Sequence, residues 1–267
     1  MHKPSSFRNY FVAIFLGASI LSIILAYLFI RRGYLFDAPS TADMLYVPNK
    51  AFAGAGVLMI AITFLIGPLS RYFDRFDSWL CYRKEIGIVG GFIVFGHVLI
   101  SYFLLPKKSP QSRFTLDNEN FIWGLIGTAL LVFLFVISFR KMIEWIGSAR
   151  WWFLQRWGLR LVILATVMHV VPMKWSGWVK WFNEGGKVTP ELAHPLMPGA
   201  GILASLFVAW VITVRLYESI FVFKSFGFQT KEITPDKELV ARGRQFFLVS
   251  FWVMIMLYII ISTRWIG

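Results

Sequence analysis

A chain of 267 residues that is 57% hydrophobic and 18% aromatic, with only 15% charged side chains, is too apolar for a soluble domain. Its formal net charge of +13 would suit a nucleic-acid binder, but the basic residues stand between long apolar runs, where they suit anionic membrane surfaces, so the partner expected is lipid and not nucleic acid. A single cysteine, Cys81, excludes an internal disulfide and any multi-cysteine metal or iron–sulfur site.

A bilayer core about 30 Å thick takes about 20 apolar residues per helical crossing. The first such run covers residues 11–30 and stops at Arg31-Arg32-Gly33; with no small-residue cleavage site behind it, it is expected to be retained as a helix. The second, 51–69, carries the breaker Gly67-Pro68 near its end. The third, 86–105, stops at Pro106-Lys107-Lys108, and the fourth, 121–139, at Arg140-Lys141. The fifth, 157–171, is short and is expected to end at Pro172. The sixth covers 199–214, or further if 217–223 continues it, and the seventh 246–263. The expected fold is therefore an all-α membrane protein, a transmembrane helix bundle of six core helices plus a seventh. Three regions follow: 1–50 with the first helix and an outer loop, 51–172 as a four-helix core, and 173–267 with an aromatic outer loop and two C-terminal helices.

Lysine and arginine collect on cytoplasmic loops. With seven spans, the side holding the N-terminus carries 17 of the 27 basic residues, so the N-terminus is expected inside and the C-terminus outside. The stretch 173–198, with Trp175, Trp178, Trp181 and Phe182, then becomes an outer loop forming either an aromatic belt or a docking surface.

Of the four histidines, at positions 2, 97, 169 and 194, only His97 and His169 lie inside spans. An ionisable side chain in hydrocarbon is costly and marks a functional site by default. His97 stands 14 residues past Arg83 and His169 stands 13 past Arg156, so at about 1.5 Å per residue both lie roughly 20 Å from the inner surface. Two imidazoles at one depth on two helices are what axial ligation of a haem iron requires. Gly90, two turns before His97 on the same face, would let a flat macrocycle approach the backbone; Ala165 and Thr166 leave similar room before His169. The plainer alternative is a pair of core histidines hydrogen-bonded to neighbouring helices.

Motif order bears on that choice. Ile66-Gly67-Pro68-Leu69-Ser70-Arg71, Tyr82-Arg83-Lys84-Glu85-Ile86-Gly87 and Gly96-His97 are followed by Ile137-Ser138, Ile146-Gly147, Trp151-Trp152-Phe153-Leu154-Gln155-Arg156 and His169. This series, over roughly residues 50–172, resembles the ferric-reductase-like transmembrane family, and within it the haem-binding membrane subunit of the bacterial periplasmic methionine sulfoxide reductase system. The resemblance implies haem b held by His97 and His169, a bacterial inner-membrane location, a protein redox partner on the outer face, and electrons supplied by a separate flavoprotein or by quinol. Gln155 stands where the family carries a histidine, and Arg83 where two-haem relatives carry their other inner ligand. One haem per chain is therefore expected. No nucleotide fingerprint such as G-x-G-x-x-G is present, so the chain reads as an electron carrier with no catalytic residues of its own. A haem-free structural or assembly subunit of the same fold is the alternative from another class, and a small-molecule transporter, disfavoured by the lack of paired carboxylates inside a span, is the third.

The remaining candidates carry less. His194, in Ala193-His194-Pro195, and His2 read as solvated, and Cys81 as structural. Haem propionates usually meet cations; the outer ones available are Lys107, Lys108 and Lys174. The Gly54-Ala55-Gly56 and Gly199-Ala200-Gly201 clusters read as close helix contacts.

Overall fold

The computed structural model describes residues 6–33, 43–107, 110–189, 192–222 and 236–265. Their regular structure is helical, with one isolated antiparallel bridge between Thr189 and Leu192. The helices are α1 (Ser6–Arg32), α2 (Asp43–Tyr72), α3 (Arg83–Leu99), α4 (Glu119–Ile137), α5 (Arg140–Ile146), α6 (Ser148–Glu184), α7 (Ala200–Tyr217) and α8 (Lys237–Thr263). A 3₁₀ segment, Asp74–Tyr82, leads into α3, and a π-helical turn, Glu218–Val222, extends α7. Among the described residues seven helices are long and apolar enough to cross a membrane, as expected, and the sixth does continue past position 217.

Two breakers expected from the sequence do not break. Helix α2 runs through Gly67-Pro68 to Tyr72, with Pro68 fully buried. Proline removes a donor and frees the carbonyl four residues back, here that of Phe64, which a membrane helix tolerates when it is packed within the protein. Helix α6 likewise passes Pro172 and continues to Glu184. The expected outer loop therefore begins 12 residues later than its predicted start at 173, and Trp175, Trp178, Trp181 and Phe182 sit on helix. What ends α6 is Gly185, whose φ of +71° suits a residue without a Cβ and whose N–H closes on the Trp181 carbonyl at 2.9 Å.

The chain divides into two compact units, residues 1–97 with 181–267, and residues 98–180. In the first, α2 is the spine: Val47, Ala51, Ala55 and Met59 recur at four-residue spacing and are fully buried. Small residues set how near its neighbours come. A Cβ on Gly56 would stand 2.9 Å from the Val94 backbone nitrogen, and one on Gly90 would stand 2.8 Å from the Met59 Cβ, so α2 and α3 meet almost backbone to backbone. Helix α8 is held to α7 by the Trp210 indole donating to the Ser250 hydroxyl at 3.1 Å and by Tyr217 stacked on Phe246 at 3.8 Å between centroids.

At the arginine-rich end of this unit Glu218, 2% exposed, accepts from Arg71 of α2 and, at 2.5 Å, from Arg215 of α7. A buried carboxylate is tolerable only when paired. This one ties the π-helical turn to both helices. Replacing it leaves two guanidiniums facing each other, so Glu218→Gln should destabilise the protein by about 3 kcal/mol, the low end for a broken buried pair because Arg71 reaches solvent. Thermal unfolding in detergent reads this as a clearly lowered midpoint; an unchanged midpoint would show that the cluster holds nothing together.

Candidate functional site

His97 sits in the last full turn of α3, half-buried, two residues before α-geometry gives way at Leu99 to the π-helical turn Ile100–Leu104. Such turns in otherwise α-helical stretches are frequent at functional sites. Across from it in the first unit lies Asn49 of α2, 7% exposed. The His97 Nδ1 stands 2.8 Å from the Asn49 Oδ1 and 3.2 Å from the Asn49 backbone oxygen. Carbonyl oxygens only accept, so Nδ1 carries a proton and donates, which in the neutral ring leaves the lone pair on Nε2.

His169 lies in α6, half-buried, in the second unit. Its Nδ1 stands 2.5 Å from the Asn120 backbone oxygen, so the same argument assigns the same tautomer. That carbonyl belongs to the first turn of α4, which Asn118 caps by accepting from the Asn120 and Phe121 N–H groups. Phe121 in turn stacks on Tyr102 at 6.3 Å and 10°. Gly124 of α4 makes the space: a Cβ there would stand 3.2 Å from the His169 Nδ1.

Asn49, Asn120 and Gly124 were not singled out from the sequence. The signal for the asparagines was faint: each stands at the polar start of an apolar run, where an asparagine ordinarily reads as a cap. Gly90 is found against Met59 of α2, so the close approach it permits in the first unit is between helices. Ala165 packs beneath Gly127, and the Thr166 hydroxyl donates back to the Val162 carbonyl at 2.8 Å.

Gln155, at the position where a family histidine was expected, has a structural task. Its amide nitrogen donates to the Leu134 carbonyl at 3.2 Å and approaches the Ser138 hydroxyl at 2.9 Å, while the Trp151 indole donates to the Ile137 carbonyl at 2.8 Å. Together they satisfy carbonyls left over at the end of α4.

His194 is exposed, and its backbone N–H donates to the Arg31 carbonyl at 3.0 Å. Cys81 is exposed beside the Ser78 carbonyl. His2 and Lys108 lie outside the described residues. Lys107 is exposed and Lys174 half-buried. Among the described residues no group of three or more His, Cys, Asp or Glu side chains is placed to hold a metal ion unaided.

Residues 51–167 match the family described as ferric reductase like transmembrane component, a little under half of the chain. The match includes His97 and ends two residues before His169. It supports a membrane redox role. No curated protein matches the chain.

The space at His169 can be tested directly. Gly124→Val adds a branched side chain where 3.2 Å is available, so it should cost about 1–3 kcal/mol through overpacking. Gly91→Ala, at a position with nothing within 4 Å, should leave the thermal midpoint unchanged or slightly raised. Equal midpoints for the two variants would contradict the packing described.

Proposed function

We propose that the chain is a membrane electron-transfer subunit that holds one haem b, with His97 and His169 as its axial ligands, and passes electrons towards an acceptor on the outer face. The observation that carries this reading is the shared state of the two imidazoles. Both lie in apolar helices and both donate Nδ1–H to a carbonyl oxygen. Metal-bound histidines almost always donate their other ring N–H in this way, which fixes the ring and makes the remaining nitrogen a better donor to the metal. The similarity of residues 51–167 to a ferric-reductase-like component supports the same class of chemistry.

The donor set suits haem b. Two neutral imidazoles supply a pair of nitrogen ligands, and the apolar helices around them suit a macrocycle whose only charges are at one edge. When bound, haem supplies reversible one-electron chemistry at iron. The remaining tasks fall to the chain. Asn49 and the Asn120 carbonyl orient the imidazoles, Gly124 leaves the His169 ring its space, and the apolar helices exclude water. Gln155 occupies the position of a further ligand and is engaged at the end of α4, which limits the count to one haem. Electrons would arrive from a separate flavoprotein or from quinol. The acceptor would be a partner such as that of the periplasmic methionine sulfoxide reductase system, whose membrane subunit the motif series resembles, in a bacterial inner membrane with the N-terminus inside.

Two measurements test this. In protein made with ample haem, His97→Ala and His169→Ala should each abolish the low-spin haem spectrum, while Gln155→Ala keeps it; a full spectrum in either histidine variant would sink the ligand assignment. Pyridine haemochrome assay of the unaltered chain should give about one haem per chain, since each site takes one iron and two imidazoles. A value of two would mean that another side chain replaces the ligand missing at Gln155.

A further inference from the structure

The 3₁₀ segment Asp74–Tyr82 buries none of its side chains. Side chains three apart eclipse in a 3₁₀-helix, so Asp74 and Asp77 fall on one face, Phe76 and Trp79 on a second, and Arg75 on the third. Phe76 and Trp79 meet edge to face at 5.2 Å between centroids, and Trp79 is exposed. An exposed indole where two apolar spans meet is the usual mark of a membrane interface.

Two arginines stand over the neighbouring rings. The Arg75 guanidinium carbon lies 5.0 Å from the centroid of Phe76, and that of Arg244, from α8, lies 4.9 Å from the centroid of Phe73. Phe73 joins the two positions, standing edge on to Phe76 at 6.3 Å and to Phe247 of α8 at 5.5 Å. The ring quadrupole keeps each cation in place, and a guanidinium that meets a ring through its face keeps its in-plane fork of N–H donors. Both arginines are exposed. At the same end Glu218 engages Arg71 and Arg215, and Glu238 engages Arg242, whereas among the described residues Arg75 and Arg244 share no ion pair. Toward the middle of α8, Leu248 and Trp252 follow Arg244 at four-residue spacing and so continue its face, 42% and 64% exposed. The surface thus runs from fixed cations at the interface to an open apolar stripe.

We propose that Arg75 and Arg244 bind the headgroup phosphate of an anionic phospholipid whose acyl chains lie along Leu248 and Trp252. A phosphate takes the guanidinium fork through charge-assisted bonds, which are shorter and stronger than neutral ones. The stripe beneath Arg244 separates this site from a general attraction of basic loops for the membrane, because it sets the headgroup and the chains on one helix face.

The test is native mass spectrometry of the full-length protein released from detergent and titrated with phosphatidylglycerol or with phosphatidylcholine. Arg75→Gln and Arg244→Gln should each weaken the first phosphatidylglycerol adduct by about tenfold, as expected for one hydrogen bond to a charged group. Phosphatidylcholine adducts should be unchanged. Lys84→Gln removes an exposed cation from the start of α3 and should weaken phosphatidylglycerol by no more than about twofold, short of the tenfold for a lost charged hydrogen bond. An equal loss in Lys84→Gln would mean that net charge alone attracts the lipid, and that result overturns the proposal, as does undiminished binding in either arginine variant. Glycerol phosphate added in excess should leave the lipid adduct in place; displacement would make the ligand a soluble phosphate ester and would overturn the lipid assignment.

Discussion

Inside an apolar layer a polar side chain must find its hydrogen-bond partner within the protein, because hydrocarbon offers none. This constraint organises much of the chain. The Nδ1 atoms of His97 and His169 are met by carbonyl oxygens of Asn49 and Asn120. Gln155 and Trp151 meet the carbonyls at the end of α4. Thr63, Thr128 and Thr166 return their hydroxyls to the carbonyl four residues back. Glu218 is shared between two arginines. In each histidine, a hydrogen bond donated from Nδ1 leaves the neutral ring its lone pair on Nε2.

Close packing completes the arrangement. Gly56 and Gly90 let α2 and α3 approach, which brings Asn49 within reach of His97, and Gly124 does for the His169 ring what a larger residue would prevent. Where helices cannot gain from excluding water, van der Waals contact between small residues is a main source of association. The same glycines that stabilise each unit therefore set the position of its histidine. Substitutions at Gly56, distant in sequence from either histidine, are expected to be felt at His97 for this reason.

Much of the architecture was legible in the sequence, because span length and apolarity are imposed by the bilayer alone. All seven spans fall in the expected order along the chain, but several helices run well past their expected bounds, most of all α6, Ser148–Glu184 against an expected 157–171. Two of the expected stops fell at prolines. Pro68 and Pro172 were read by the rules of helices in water, where a missing hydrogen bond ends the helix; here α2 and α6 absorb them, and the true stop after α6 is Gly185. His97 and His169 were legible because an ionisable group in an apolar run is conspicuous. Their partners Asn49, Asn120 and Gly124 were not, since their contacts join residues 45 to 49 positions apart and no local pattern announces them.

The central claim is that two histidines with a common tautomer serve one iron. The most direct measurement is the absorption spectrum of the purified protein, oxidised and then reduced with dithionite, on material expressed with ample haem. The account predicts a shift of the Soret band on reduction and sharp α and β bands, the signature of low-spin haem b with two imidazole ligands. A featureless spectrum, in protein whose helical content and thermal unfolding show it to be folded, would contradict it and leave the carbonyl-bound histidines as structural links between helices.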